Sequence, residues 1–424
     1  MSTAQLDRPT PVLSRVTQLR HTSPGRLQLI LATLLALGVL TGALAGLAAF
    51  SARSGTADLG SRAQPLLVEA ETIYAALADA DTTATQAFLT GGLEPPALTA
   101  RYDDDLTRAT AALTSAARRT PDDGATADAV RALSSGIPQY SALVATARAN
   151  NRQGLPVGAA YLSAASQLNR ATLLPQADAL FTAAQREVDR GYGSSRSTIT
   201  VSLLAVLIVA LLAALVVAQR YLSRTTHRTF NLPLAGATLV VVLLALGVGT
   251  VFAVQRAHLS KAATQGSTPV AQLADLRILA LNERGDEALT LVARGGPDAN
   301  EEDFKKAAAA FDGKLAQPAA GTTTSLRTAH NAYVAAHTAV RKDDDGGSYD
   351  EAVALAVGPQ TTATFTALTD AIGTSLESHK ATFTGQIAGA GRGLGVITVL
   401  GPLLALIACG LAAAGVRTRL EEYR

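Results

Sequence analysis

"FLTGG" at residues 88–92 and "VARGG" at 292–296 each close a helical-looking run, and their glycine pairs, Gly91–Gly92 and Gly295–Gly296, lie 204 residues apart. Each pair begins 26 residues after a proline, Pro65 to Gly91 and Pro269 to Gly295. Apolar residues lead into both: Ile73, Leu77, Ala80, Ala84 and Phe88 in the first run, Ala274, Ile278, Leu281, Ala288 and Val292 in the second. Such 3/4 spacing lays an apolar stripe along one helix face. Leu77, Ala84 and Phe88 meet Leu281, Ala288 and Val292 at the same offset of 204. A later stripe, Val130, Leu133, Ile137, Tyr140, Val144 and Ala147, has its counterpart in Leu326, His330, Tyr333, His337 and Val340. Gly154 follows Tyr140 by 14 residues and Gly347 follows Tyr333 by 14; Ala159 and Ala352 each follow their tyrosine by 19. Pro175 and Pro359 share no offset, so the final helices align poorly. The chain reads as one module written twice, with divergence.

Four uncharged apolar runs frame the two copies: Leu29–Phe50, Ile199–Ala218, Leu232–Val254 and Gly393–Val416. Each reaches the roughly 20 helical residues that a bilayer requires. "ALA" at 43–45 permits signal cleavage, but the first run exceeds the usual signal core of about 7–15 residues, so an uncleaved anchor is expected. Arg8, Arg15, Arg20 and Arg26 precede the first run, Arg220, Arg224 and Arg228 fill the loop at 219–229, and Arg417, Arg419 and Arg424 fill the tail. The positive-inside rule makes these three segments cytoplasmic. The expected order is therefore a cytoplasmic arm (1–26), span (27–52), exterior bundle (53–198), span (199–218), cytoplasmic loop (219–229), span (230–254), exterior bundle (255–392), span (393–416) and cytoplasmic tail (417–424). The chain is predicted to be a multi-pass protein of a bacterial plasma membrane, with both termini cytoplasmic.

No span holds a charged residue, which disfavours a transporter, whose ionisable groups usually sit at membrane depth. Gly38, Gly42 and Gly46 recur every fourth residue and clear a helix face for close packing, either of the chain's own spans or of a homodimer. Pro402 predicts a kink in the fourth span.

Strand-like alternation is absent, and the expected fold is all-α. Helices are predicted over 53–89, 97–118, 125–150 and 156–198, and again over 255–293, 299–317, 323–341 and 349–392. Heptad stripes with short connections fit two antiparallel four-helix bundles. The connections near 90–97, 150–156, 294–299 and 342–348 fall at the membrane-distal tips. Gly91, Gly92, Asn150, Asn151, Gly295, Gly296, Asp343, Asp344 and Asp345 are the candidate docking residues there, because exposed connections commonly carry recognition. The span–helix–GG–helix order, the tyrosine in each third helix, and the glycine-led starts "GLPVGAAYL" and "GSYDEAVAL" resemble the periplasmic four-helix-bundle sensor domains of bacterial chemoreceptors and sensor kinases. No signalling domain follows the spans. The doubled arrangement with a small cytoplasmic portion resembles an actinobacterial membrane protein family that works beside an amino-acid-binding lipoprotein and the soluble Ser/Thr kinase G. That resemblance implies a solute-binding lipoprotein outside and a kinase or other signalling protein inside as partners, with no binding residue carried over.

The chemistry-bearing residues are few. Net charge is +2, so no nucleic-acid field is implied. Cys409 is the only cysteine, which excludes an intrachain disulfide. No nucleophile elbow, phosphate loop, HExxH or paired catalytic carboxylates occur, so no enzyme, cofactor or resident metal is expected. His330 and His337 replace Ile137 and Val144 of the first copy. Seven helical residues separate them by roughly 10.5 Å, too far for one metal. They form either a pH-sensitive seam or a pair flanking the core whose ring nitrogens reach water. "DDDGG" at 343–347 could offer oxygens to calcium but lacks EF-hand spacing; a solvated loop is the plainer reading. Arg220, Arg224, Arg228, Arg417 and Arg419 are the candidate cytoplasmic output. The function expected is non-enzymatic relay of an exterior solute signal, with a scaffold for an envelope complex as the alternative and a transporter component third.

Overall fold

The computed structural model describes residues 23–90, 93–120, 124–195, 198–226, 231–292, 299–316 and 323–420. Among them every regular element is helical. The helices are α1 (Ser23–Asp58), α2 (Gln64–Leu89), α3 (Pro96–Ala117), α4 (Ala125–Arg152), α5 (Val157–Leu168), α6 (Leu174–Ser195), α7 (Thr198–Thr226), α8 (Leu232–Lys261), α9 (Thr268–Val292), α10 (Ala299–Leu315), α11 (Thr323–Asp345), α12 (Tyr349–Val357), α13 (Pro359–Ala390) and α14 (Leu394–Leu420). α1 runs on into α2, α5 into α6 and α8 into α9 through single π-turns at Leu59–Ala63, Asn169–Leu173 and Ala262–Ser267. Each π-turn ends two residues before a proline: Pro65, Pro175 or Pro269. A proline lacks an N–H and its ring collides with the carbonyl four residues back, so the helix widens there to stay continuous.

The chain packs as two compact units. One takes the residues up to Ala57, Tyr192–His258 and those from Gly389 onward; the other takes Asp58–Gly191 and Leu259–Ala388. In the first unit α1, α7, α8 and α14 share a core that includes Leu34, Ala45, Ala49, Leu204, Leu211, Leu215, Val241, Leu244 and Ala405. Their other faces are also apolar and stand open: Leu47 is 65% exposed, Val209 65%, Leu246 62% and Val399 67%. Helices apolar all round are the form that a lipid solvent stabilises. Four helical stretches, beginning at Gly25, Val157, Leu232 and Pro359, are long and apolar enough to cross a membrane. The glycine stripe of α1 is filled by the chain's own fourth span. A Cβ at Gly42 would stand 2.7 Å from Ala405 Cβ and 3.3 Å from Pro402 Cα, and one at Gly46 would stand 3.0 Å from Pro402 Cγ. Asn231 Nδ2 donates to Gly415 O at 2.9 Å, and Gln219 Nε2 donates to Leu234 O and Thr238 Oγ1. These bonds tie the ends of α7, α8 and α14.

In the second unit the two sequence segments, Asp58–Gly191 and Leu259–Ala388, join through their first helices. α2 packs on α3, on α5 and on α9, while α9 packs on α10 and α12. α2 is thereby enclosed on nearly every side. Its small residues Ala70, Ala76, Ala80, Ala84 and Ala87 let neighbours approach closely, and Leu67, Ile73 and Leu77 fill the gaps at 0–1% exposure. Each fully buried Leu or Ile contributes about 1.5–3 kcal/mol of transfer free energy. Tyr140 and Tyr333, both 0% exposed, anchor the third helix of each segment.

The later turns also match in geometry. Leu155 N donates to Asn150 O at 3.0 Å and Gly154 N to Asn151 O at 2.9 Å. Ser348 N donates to Asp343 O at 2.9 Å and Gly347 N to Asp344 O at 3.0 Å. Gly154 (φ +67°) and Gly347 (φ +82°) take the left-handed conformation that such helix ends require. α11 continues to Asp345, four residues past the predicted end. The three aspartates therefore form its last turn rather than a loop.

Candidate functional site

Burying both faces of α2 and α9 forces their polar residues inward. Glu71, Asp79 and Asp81 on α2 and Glu283, Asp286 and Glu287 on α9 are each 0–7% exposed. A buried carboxylate survives only when paired, and three of the pairs link the two segments. Arg277 Nη1 on α9 lies 3.2 Å from Glu71 Oε1 and its Nη2 3.9 Å from Asp79 Oδ2, both on α2. Arg170 comes from the π-turn before α6, pairs with Asp286 on α9, and has its Nε 3.8 Å from Asp81 Oδ2. Gly285 makes room for it, since a Cβ there would stand 2.3 Å from Arg170 Nη2. Arg284, 2% exposed, pairs with Glu287 and donates to Ala356 O at 3.1 Å. With its amide oriented to suit its neighbours, Gln86 accepts from Arg284 Nε and Nη2, both at 2.9 Å. A cleft of about 600 Å³ opens beside the Arg170–Asp286 pair, with Tyr74 and Asn282 on its wall.

The electrostatics follow from burial. Burial raises Asp81 above the usual carboxylate range, against Arg170, Ser166 and Tyr140, which pull it down. Burial likewise raises Asp286, opposed by Arg170, and Glu283, opposed by His330. Burial and the neighbouring Asp79 push Asp105 up to about 6.

His330 and His337 do not reach water; they are 1% and 3% exposed. His330 Nε2 meets both oxygens of Glu283, at 3.0 and 3.1 Å, with the ring stacked on Phe311. His337 places Nδ1 3.0 Å from Glu287 and Nε2 3.0 Å from Glu301, and stacks on Phe304. Burial alone would lower His337, but bonds to these two carboxylates outweigh it and hold the imidazole above its ordinary value. Two ring nitrogens facing two carboxylates define a doubly donating imidazolium. The two histidines belong to a chain of buried charges that continues from Glu301 to Arg341.

At the far ends of α2 and α9 the segments enclose a groove of about 540 Å³, lined by Phe88, Leu89, Asn151, Leu155, Val292 and Tyr349 among others. Of the predicted docking residues, Asn151 lines this groove and donates from Nδ2 to Phe88 O at 3.3 Å. Asn150 turns back to Thr146 O at 2.8 Å. Asp344, half-buried, and Asp345, exposed, both pair with Arg341. Gly91, Gly92, Gly295 and Gly296 lie outside the described residues. Leu155, Val157 and Tyr161 are open beside the groove at 38–47% exposure. Arg220 and Arg224 end α7 and Arg417 ends α14, all exposed; Arg419 is in α14, and Arg228 lies outside the described residues.

Residues 55–193 match the family of the actinobacterial sensor domain. The match runs from the end of α1 through α6 and takes in all four helices of the first segment. The chain is thus a multi-pass membrane protein carrying a sensor domain over residues 55–193. No curated relative and no solved structure matches the chain. The charged core is not legible from the apolar stripe, which records only the residues that repeat. Its signal was a gap: the stripe steps from Leu281 to Ala288 across "NERGDE", where an apolar residue is due at 284 or 285.

Proposed function

We propose that the chain relays an exterior solute signal across a bacterial plasma membrane without catalysis, and that its two segments are a diverged tandem repeat. The solute, an amino acid in the reading we favour, is presented by a binding lipoprotein that docks on the groove at the far ends of α2 and α9. The observation that carries this reading is the make-up of that groove: Phe88, Asn151 and Leu155 come from one segment and Val292 and Tyr349 from the other. An occupant touches both segments at once and so biases how they pack. The interface it would bias is held by ion pairs rather than by a dry apolar seam, and charged pairs tolerate few alternative registers. Both termini and the 219–229 loop are cytoplasmic in this scheme. Arg220, Arg224 and Arg417, with Arg228 and Arg419, then face a Ser/Thr kinase or another signalling partner.

The test places a photo-crosslinking residue at Leu155, on the groove, and separately at Asp104, exposed on α3, in intact cells. A solute-dependent adduct with an extracytoplasmic protein at 155 and none at 104 is expected. The same adduct from Asp104 alone would sink the groove as the docking site. An adduct at 155 that never responds to solute would replace the relay with a scaffold.

A further inference from the structure

The turns after α4 and α11 close with the same backbone bonds at a spacing of 193 residues, so side chains can be compared position by position. Arg148 stands where Arg341 stands, Asn151 where Asp344 stands, and Arg152 where Asp345 stands. Arg341 is saturated by its own chain: Nε lies 3.4 Å from Glu301 Oε2, Nη1 bonds Asp344 and Nη2 bonds Asp345. Arg148 has Glu94 Oε2 3.2 Å from Nε, and its guanidinium lies 4.2 Å over the Tyr102 ring. Its Nε and Nη2 are both buried with no hydrogen-bond partner. The first segment has thus kept the arginine and replaced the two carboxylates that would satisfy it with an amide and a second cation.

What stands in front of Arg148 is a cavity of about 320 Å³, lined by Tyr102, Asp103, Ser141, Arg148 and Arg152 among others. That volume is at the lower end of the roughly 300–1,000 Å³ of small-molecule sites. A guanidinium presents a rigid fork of donors that fits a planar carboxylate through two parallel bonds. Stacking on Tyr102 fixes the plane of the fork, and Ser141 and Arg152 add donors beside it. We propose that this cavity is a binding site for a small carboxylate, which supplies from solution what Asp344 and Asp345 supply to Arg341. Asp103, exposed at the rim, selects for a single negative charge over a polyanion. The site lies apart from the groove at the ends of α2 and α9 and requires no partner protein, so it stands or falls separately from the docking reading.

The test uses the full chain in nanodiscs, titrated calorimetrically with acetate, propanoate and benzoate, with sulfate and methylammonium as controls. One saturable site for a monocarboxylate is expected, with sulfate and methylammonium failing to compete. Arg148→Gln should weaken binding at least about tenfold. Because that variant could disturb packing on Tyr102, a second variant keeps the arginine. Asn151→Asp with Arg152→Asp installs the second segment's carboxylates at the end of α4, and should close the site equally with helicity unchanged. The reciprocal pair, Asp344→Asn with Asp345→Arg, should raise the stoichiometry from one to two. Absence of saturable binding by any of the three carboxylates would overturn the proposal, as would binding that the Asn151→Asp, Arg152→Asp variant leaves intact.

Discussion

The two segments of the charged unit share helices, turns and tyrosines, yet they fill their cores differently. At four positions around Tyr140 the first segment buries apolar or neutral groups, Ala80 at 0%, Thr83 at 2%, Ile137 at 3% and Val144 at 1%, while the Tyr140 hydroxyl itself donates to the buried Asp81. Around Tyr333 the second places Arg284, Glu287, His330 and His337 at the corresponding positions, all at 1–3%. The match to the sensor family falls on the first segment, residues 55–193. At these four positions one backbone arrangement therefore accepts either neutral side chains or paired ionic ones. The ionic version demands that every charge keep its partner, because the low-dielectric interior penalises an orphan far more than it rewards a pair.

The largest effect that would break this comparison is at Arg284. Arg284→Leu takes the guanidinium from the buried Glu287, leaving it His337 alone, and frees Ala356 O. A loss of about 3–5 kcal/mol is expected in denaturant unfolding of the full chain followed by circular dichroism. Converting the pair to the first segment's chemistry, Arg284→Leu with Glu287→Thr, should recover a substantial part of that loss. No recovery would mean that the second segment has lost the capacity for a dry core.

A smaller effect is expected between the segments. Gly285→Ala would put a Cβ 2.3 Å from Arg170 Nη2 and push the guanidinium away from Asp286. The arginine end is flexible, so a cost of about 1–2 kcal/mol is expected. Thermal unfolding reads it, and a neutral substitution would show that Arg170 has room to spare.

The smallest effect is a slope. His337 is held above its ordinary value by Glu287 and Glu301. Its contribution to stability is complete below the ordinary histidine value and fades as pH rises through the folded one. Stability measured from pH 6.5 upward should therefore fall more steeply in the wild type than in His337→Val, which carries the first segment's residue. Equal slopes would place the titrating group elsewhere.

The periodic features were the legible ones. Most of the stripe from Ile73 to Phe88 and of its partner from Ala274 to Val292 is buried, with Phe88, Ile278 and Val292 partly so, and the apolar runs lie in helices. Tyr140 and Tyr333 anchor the third helices as their spacing implied. The aspartates after α11 were misread because Gly346 and Gly347 signal a stop while saying nothing of the last turn before it. Of the two readings of the histidines, only the one in which their rings reach water fails, and stripe position could not decide it, because it does not reveal whether a ring nitrogen meets water or Glu283, which is 47 residues away in sequence.

Length, hydropathy, arginine placement and the 204-residue echo determine an all-α chain with four apolar helices and two similar segments, because helix periodicity and bilayer thickness act locally along the chain. Tertiary structure alone decided that the segments meet through α2 and α9, that Pro402 fills the glycine stripe of α1, and which cation each buried carboxylate finds. Arg170 reaches Asp286 across 116 residues and Arg277 reaches Glu71 across 206. No local rule connects positions so far apart. What selects those pairs is the cost of leaving any buried charge alone, and that cost exists only once the helices have enclosed them.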